Sequence, residues 1–139
     1  MQFKIFTDGG SRGNPGHAGA GGIIISVDDN KESVIAEISE YLGIQTNNYA
    51  EYSSLIYSLN KAIELGIQDN KINVYMDSSL VINQVNGLWK VKHPNIIPLY
   101  AKVEKIIKLF NNITFTHVFR DNNKLADKLA NKAMDSVHS

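Results

Sequence analysis

Apolar and polar positions along the chain follow two periods. Phe3, Ile5 and Thr7 alternate with Lys4, Phe6 and Asp8, the two-residue period of a strand. Residues 9–16 read as a turn, with Asn14-Pro15-Gly16 as its strongest breaker. A second strand is predicted over residues 18–27, with Asp28-Asp29-Asn30 as a hairpin turn. A third covers 32–42, where Val34, Ala36 and Ile38 alternate with polar neighbours. The period then becomes helical: Tyr52, Leu55, Ile56, Leu59, Ala62 and Ile63 share a face, with Asn48 as the N-cap and Gly66 as the stop. A fourth strand (71–76) is followed by a short helix (78–85) that ends near Asn86-Gly87. A further helix begins at Asn95, with Leu99, Val103, Ile106 or Ile107, and Phe110 on its apolar face. A fifth strand (113–119) precedes a last helix from Asn123 to about Val137, with Leu125, Leu129, Ala133 and Met134 inward.

The order is thus three strands, a helix, a strand, two helices, a strand and a helix. Three strands joined by short turns form an antiparallel meander, and strands separated by helices return in parallel. The expectation is an α/β fold: a mixed five-stranded sheet, three antiparallel strands then parallel ones, flanked by helices.

Length and composition narrow the chemistry. A chain of 139 residues with 43% hydrophobic content suits one domain spanning 1–139 and buries a core without staples. There are no cysteines, so disulfides, thiolate zinc sites, thiol nucleophiles and iron–sulfur clusters are excluded. No apolar run approaches the ~20 residues of a membrane-spanning helix, and Met1 leads straight into a strand pattern without a signal-peptide signature. These features lead us to expect a free-standing, monomeric, cytoplasmic protein without membrane partners. The formal net charge is zero, but residues 1–69 hold 4 basic and 9 acidic side chains and residues 70–139 hold 10 and 5. That asymmetry points to a polyanionic partner met by one face, or to solvated helix faces in the second half.

Four acids stand at informative positions. Asp8 ends the first strand, Asp77 ends the fourth, Glu51 lies in the first turn of the first long helix, and Asp127 lies one turn into the last. If the first and fourth strands are parallel neighbours, Asp8 and Asp77 emerge at one carboxyl edge, where open α/β sheets place their sites. Each has a structural alternative: Glu51 completing a capping box with Asn48, Asp77 capping a helix, Asp8 serving a turn, Asp127 a solvated or lysine-paired acid. Clustered carboxylates, however, repel unless they take up protons or bind cations. An all-oxygen site favours Mg²⁺ or Mn²⁺ over zinc.

Four segments resemble, in order, the motifs of the type 1 ribonuclease H family: Phe6-Thr7-Asp8-Gly9-Gly10-Ser11-Arg12-Gly13-Asn14-Pro15-Gly16, Thr46-Asn47-Asn48-Tyr49-Ala50-Glu51, Met76-Asp77-Ser78-Ser79, and Asn123-Lys124-Leu125-Ala126-Asp127-Lys128-Leu129-Ala130. The resemblance runs from about residue 3 to 134. It implies a ribonuclease H-like fold and an endonuclease that cuts the RNA strand of RNA–DNA hybrids, leaving 5′-phosphate and 3′-hydroxyl ends. It further implies two Mg²⁺ ions, with Mn²⁺ as a substitute, held by Asp8, Glu51, Asp77 and Asp127. By the same resemblance Asp8 bridges the ions, Asp127 completes the one that activates water, and Glu51 and Asp77 hold the one facing the leaving oxygen. Asn14, Asn47, Asn48 and Asn123 match positions facing the substrate, and Thr46 a position that contacts a DNA-strand phosphate.

The chain departs from the family pattern in three places. His117 and Arg120 compete for the role of the family's loop histidine; Arg120 begins the loop, and its role would be electrostatic because it does not release a proton at neutral pH. Residues 87–94 are too short for the basic, tryptophan-bearing helix of longer members, which marks a short form lacking that protrusion; Trp89, Lys90 and Lys92 supply a reduced contact or a loop edge. Ser79 stands where many bacterial members carry a base-contacting glutamine. Three rival readings are a silent hybrid-binding module, half of an actin-like kinase, and a junction resolvase or transposase core. The intact carboxylates, the length and the asparagine-rich second motif argue against them respectively.

Overall fold

The first strand is the centre of the sheet. In the computed structural model, which describes residues 1–137, it has a partner on each side. The elements are β1 (Gln2–Gly13), β2 (Gly16–Asp28), β3 (Lys31–Gln45), α1 (Asn47–Glu64), β4 (Lys71–Met76), α2 (Ser79–Val85), α3 (Ile97–Ile107), β5 (Asn112–His117), a 3₁₀ turn (Arg120–Asn122) and α4 (Lys124–Asp135). The sheet order is β3-β2-β1-β4-β5. β1 pairs antiparallel with β2 and parallel with β4, β2 pairs antiparallel with β3, and β4 pairs parallel with β5. This is the expected mixed sheet.

Alternation along the strands feeds two cores. Phe3, Ile5 and Ile24 face Tyr52, Leu55 and Leu59 of α1, joined by Val81 and Ile82 of α2 and Val103 and Ile106 of α3. Each such side chain contributes roughly 1.5–3 kcal/mol by leaving water. On the opposite face Ile23 and Ile25 pack with Leu129 of α4. Glycines in β2 set how closely that helix lies. A Cβ on Gly21 would stand 2.3 Å from the Ala126 carbonyl oxygen and 2.5 Å from the Ala130 nitrogen.

That close approach corrects one expectation. Ala126 and Ala130 take the innermost positions of α4 because only small side chains fit against Gly21, and Leu125 is turned outward, 54% exposed. Other differences lie at element ends. β1 continues through the expected turn to Gly13, which pairs with Gly16, so Asn14-Pro15 alone makes the reversal. The N-cap of α1 is Thr46, whose hydroxyl accepts from the Tyr49 N–H at 3.1 Å, rather than Asn48. Gly66 follows the end of α1 at φ 74°, as a stop residue should. Ser78 caps α2, and α3 begins at Ile97 with Pro98 in its first turn. β3 reaches Gln45, β5 ends at His117 and α4 ends at Asp135. No helix among the described residues is long and apolar enough to cross a membrane.

Candidate active site

Parallel pairing fixes the first two acids. Thr7 of β1 sits opposite Met76, the last residue of β4, so Asp77 leaves the sheet beside Asp8, which lies within β1 opposite Gly21 rather than at its end. Glu51 comes to them from α1 because the helix presses onto Gly9. A Cβ on Gly9 would lie 2.2 Å from the Ala50 carbonyl carbon and oxygen and 2.5 Å from the Glu51 nitrogen. The Gly9 N–H donates to Glu51 Oε1, which uses the carboxylate to tie α1 to β1 rather than to complete a capping box. Oxygens of Asp8, Glu51 and Asp77 lie within 4.8 Å of one another. Asp8 and Glu51 are each 8% exposed.

Asp127 reaches the same cleft from the first turn of α4. The cleft has a volume of about 440 Å³ and is also lined by Arg12, Asn47, Asn48, Ser78, Arg120 and Asn131. Asp8 and Glu51 hold their protons more tightly than ordinary carboxyl groups. Burial pushes Asp8 up to about 10, reinforced by the charges of Glu51 and Asp77 and by a hydrogen bond to Asp127. Burial likewise pushes Glu51 up to about 8, opposed by the Gly9 N–H and by hydrogen bonds from Asp8 and Ser78. Two buried acids that keep protons above neutrality lack compensating positive charge in their site. Arg120 does not supply it: its Nη2 is 3.9 Å from Asp127 Oδ1, and the side chain is 80% exposed. Such a pair is weak in water.

One wall of the cleft is a network of small polar groups. Asn47 Oδ1 accepts from the Ser11 N–H at 2.8 Å and from the Ser11 hydroxyl at 3.0 Å. The Asn47 N–H donates to Asn14 Oδ1 at 3.1 Å. The β1–β2 hairpin is thereby stitched to the start of α1, and Asn14, Thr46, Asn47 and Asn48 are gathered on one rim. These asparagines are turn and helix-end residues as well as exposed polar groups.

The remaining expected residues separate. Of the two loop candidates, Arg120 lines the cleft and His117 does not; His117 is exposed at the end of β5 and stacks edge-on against Phe119, with centroids 5.6 Å apart. His117 is corrected to a surface residue, because the strand ends there and the chain reaches the cleft only at Arg120. Asn123 is also corrected. It is 1% exposed, and its Nδ2 donates to the Thr7 carbonyl at 2.8 Å, so it anchors α4 to β1 and offers no surface to a substrate.

Trp89 is 48% exposed and lines a separate groove with Leu88, Lys90 and Tyr100. Its loop is held from inside: Tyr52 donates to Gln84 Oε1 at 2.6 Å, and Gln84 Nε2 donates to the Lys90 carbonyl at 3.3 Å. Between α2 and α3 there is no further helix. Arg12, Ser78 and Asn131 line the cleft without having a role predicted from sequence. For Asn131 the signal was present, since it follows Asp127 by one helical turn.

A family profile described as Reverse transcriptase-like matches residues 6–133. A bifunctional protein of Mycobacterium tuberculosis is 44% identical over 137 residues, covering 99% of this chain and 36% of that protein. The chain therefore spans about a third of the length of the mycobacterial relatives it matches. RNase H1 from the halophilic archaeon Halobacterium salinarum superposes with a TM-score of 0.90 at 36% identity, covering 98% of this chain and 99% of that one. LC11-RNase H1, solved in complex with an RNA/DNA hybrid, superposes at 0.88 with 38% identity and 99% coverage of both chains. With the sheet order, the carboxylate cleft and these matches in agreement, the chain belongs to the type 1 ribonuclease H family.

Proposed function

We propose that this chain is a metal-dependent endoribonuclease that cuts the RNA strand of RNA–DNA hybrids. The P–O3′ bond breaks, giving 5′-phosphate and 3′-hydroxyl ends. The observation that carries the reading is the convergence of Asp8, Glu51 and Asp77 oxygens within 4.8 Å, with Asp127 on the same cleft. The donor set is all oxygen, which suits Mg²⁺ or Mn²⁺, and buried acids that otherwise retain protons suit cations of high charge. Asp8, Glu51, Asp77 and Asp127 would hold two such ions, with Asp8 between the other acids. Paired divalent ions supply a nucleophilic water at neutral pH and neutralise the departing alkoxide.

The chain's own residues hold and orient. Gly9 and Ser78 fix the Glu51 carboxylate by donating to it. Arg120 offers positive charge at the cleft mouth toward the phosphate or the departing product. Asn14, Asn47 and Asn48 offer neutral donors and acceptors of the kind that read a 2′-hydroxyl, and Thr46 lies on the same rim for a phosphate of the DNA strand. Trp89, Lys90 and Lys92 form a smaller grip on the duplex backbone, with the ring near a sugar and the lysines on phosphates. The absence of cysteine is in keeping with a reducing cytoplasm.

The test is a labelled hybrid incubated with wild type and with Asp77→Asn, in Mg²⁺ or in EDTA, with duplex DNA and branched DNA as comparison substrates. We expect cleavage of the hybrid's RNA strand by wild type with metal alone. Equal cutting by the variant would remove Asp77 from the site, and preference for branched DNA would point to a resolvase.

A further inference from the structure

Arg12 is a cation of the cleft with no place in the reading above. It lies four residues beyond Asp8 on β1, about 13 Å along the strand at ~3.3 Å per residue. Its Nη2 is 2.6 Å from Asp135 Oδ1 and 3.4 Å from Asn131 Oδ1. Asn131 in turn donates to the Asp127 carbonyl at 3.0 Å, so the guanidinium is registered to the helix that carries a cleft carboxylate. Asp135 sits in the last turn of α4, where an acid is disfavoured by the helix dipole. Arg12 offsets that charge.

The clasp is a loose one. The Arg12 and Asp135 side chains are 38% and 66% exposed, and exposed pairs of this kind contribute little net stability. Both contacts use a single nitrogen, whereas a guanidinium carries five N–H donors in a planar fork that matches phosphate. A cleft with four carboxylates repels a polyanion except where cations intervene. Its backbone therefore needs positive charge away from the reacting phosphate, and Arg12 lies on that path.

We infer that Arg12 is a phosphate-binding residue that grips the nucleic-acid backbone several nucleotides from the cut, with Asp135 and Asn131 holding its guanidinium along the cleft between binding events. The inference rests on a hybrid as the substrate. The competing role is purely structural, with Arg12 serving only to clamp α4 to the hairpin.

Salt dependence separates the two. A protein that neutralises Z phosphates loses affinity with a log–log salt slope of about −0.9Z for duplex DNA. Hybrid cleavage and hybrid binding (fluorescence anisotropy) are measured over a KCl series at fixed Mg²⁺ for wild type, Arg12→Ala, Arg12→Lys and Asp135→Asn, with melting curves for each. Arg12→Ala should raise KM about tenfold near 0.1 M KCl, change kcat less than twofold and flatten the slope by about 0.9. Arg12→Lys should restore the slope. Asp135→Asn, which removes the holder but keeps the cation, should retain the wild-type slope. Equal losses in Arg12→Ala and Asp135→Asn with an unchanged slope would make Arg12 a clamp and overturn the inference. A wild type that binds the hybrid without cutting it would sink the proposed activity while the binding slopes still decide Arg12; one that does neither sinks both.

Discussion

Gly9→Ala places one methyl group where α1 meets β1. The added Cβ would lie 2.2 Å from the Ala50 carbonyl carbon and oxygen, and ordinary contact begins at 3.4 Å. The helix start must therefore retreat by about 1.2 Å, because the atoms met are backbone and do not swing aside. Overpacking of this kind costs roughly 1–3 kcal/mol, and with backbone on the receiving side we place it near the upper end. For a chain of this length that lowers Tm by about 8–12 °C. The retreat also lengthens the Gly9 N–H to Glu51 bond and draws the Glu51 carboxylate away from Asp8. A displacement of about 1 Å in catalytic geometry costs on the order of 100-fold in rate. The neighbouring position is the control. A Cβ on Gly10 meets nothing nearer than the Met134 methyl at 3.7 Å, so Gly10→Ala should leave Tm within about 2 °C. The assay is hybrid cleavage in Mg²⁺ well below both melting temperatures, beside thermal unfolding by circular dichroism. Gly9→Ala melting with wild type and cutting within threefold of its rate would show that the close approach positions nothing.

The remaining predictions concern charge and the loop. Asp8 is raised from an ordinary value of 3.8 to about 10 and Glu51 from 4.5 to about 8, so the folded protein binds protons that the unfolded chain has released. The stability this supplies is full below about pH 4 and is lost as pH climbs toward those raised values, at up to about 1.4 kcal/mol per pH unit for each proton. In EDTA, urea midpoints should fall between pH 5 and pH 8, and Mg²⁺ should flatten the fall; a flat profile in EDTA would contradict the assigned burial. Arg120→Ala should lower kcat about tenfold through lost charge at the cleft mouth, whereas His117→Ala should stay within twofold of wild type in a hybrid cleavage assay. The reverse ranking would return His117 to the chemistry.

Periodicity carried much of the fold into view. Ile5 and Val74 belong to strands that alternate, Leu55 and Leu59 to a helix that does not, and Ile24 to a strand buried on both faces, so those patterns follow from which layers each face meets. Failures came where backbone, not side-chain character, does the pairing. Residues 9–13 form a strand with little apolar alternation, since Gly9, Gly10 and Gly13 pair with Ala20, Gly19 and Gly16 through the ladder itself. Size alone points Leu125 inward, whereas against Gly21 the residues that fit are Ala126 and Ala130. A stripe of small residues in α4 facing the Ala18-Gly19-Ala20-Gly21-Gly22 run of β2 was the available signal.

The cleft was legible to the extent that the end of β4 is, where the parallel pairing with β1 stops. Asp8 and Asp77 meet because β1 and β4 run parallel and in register, a relation that the helix between them implies and that no local pattern of either strand contains. Glu51 needed a second fact: Gly9 lets α1 descend far enough for the carboxylate to accept a sheet N–H. Asn123 shows the opposite hazard. Its motif position suggested a substrate contact, yet the same amide sits beneath the surface bonding Thr7, because α4 must be anchored one turn before Asp127 for that acid to arrive at the cleft. The motif around Asp127 therefore mixes a residue that faces the cleft with one that aims it. Burial separates them, and burial is a property of the assembled layers, so the distinction between Asn123 and Asn131 becomes readable only when α4 is seen lying on β2.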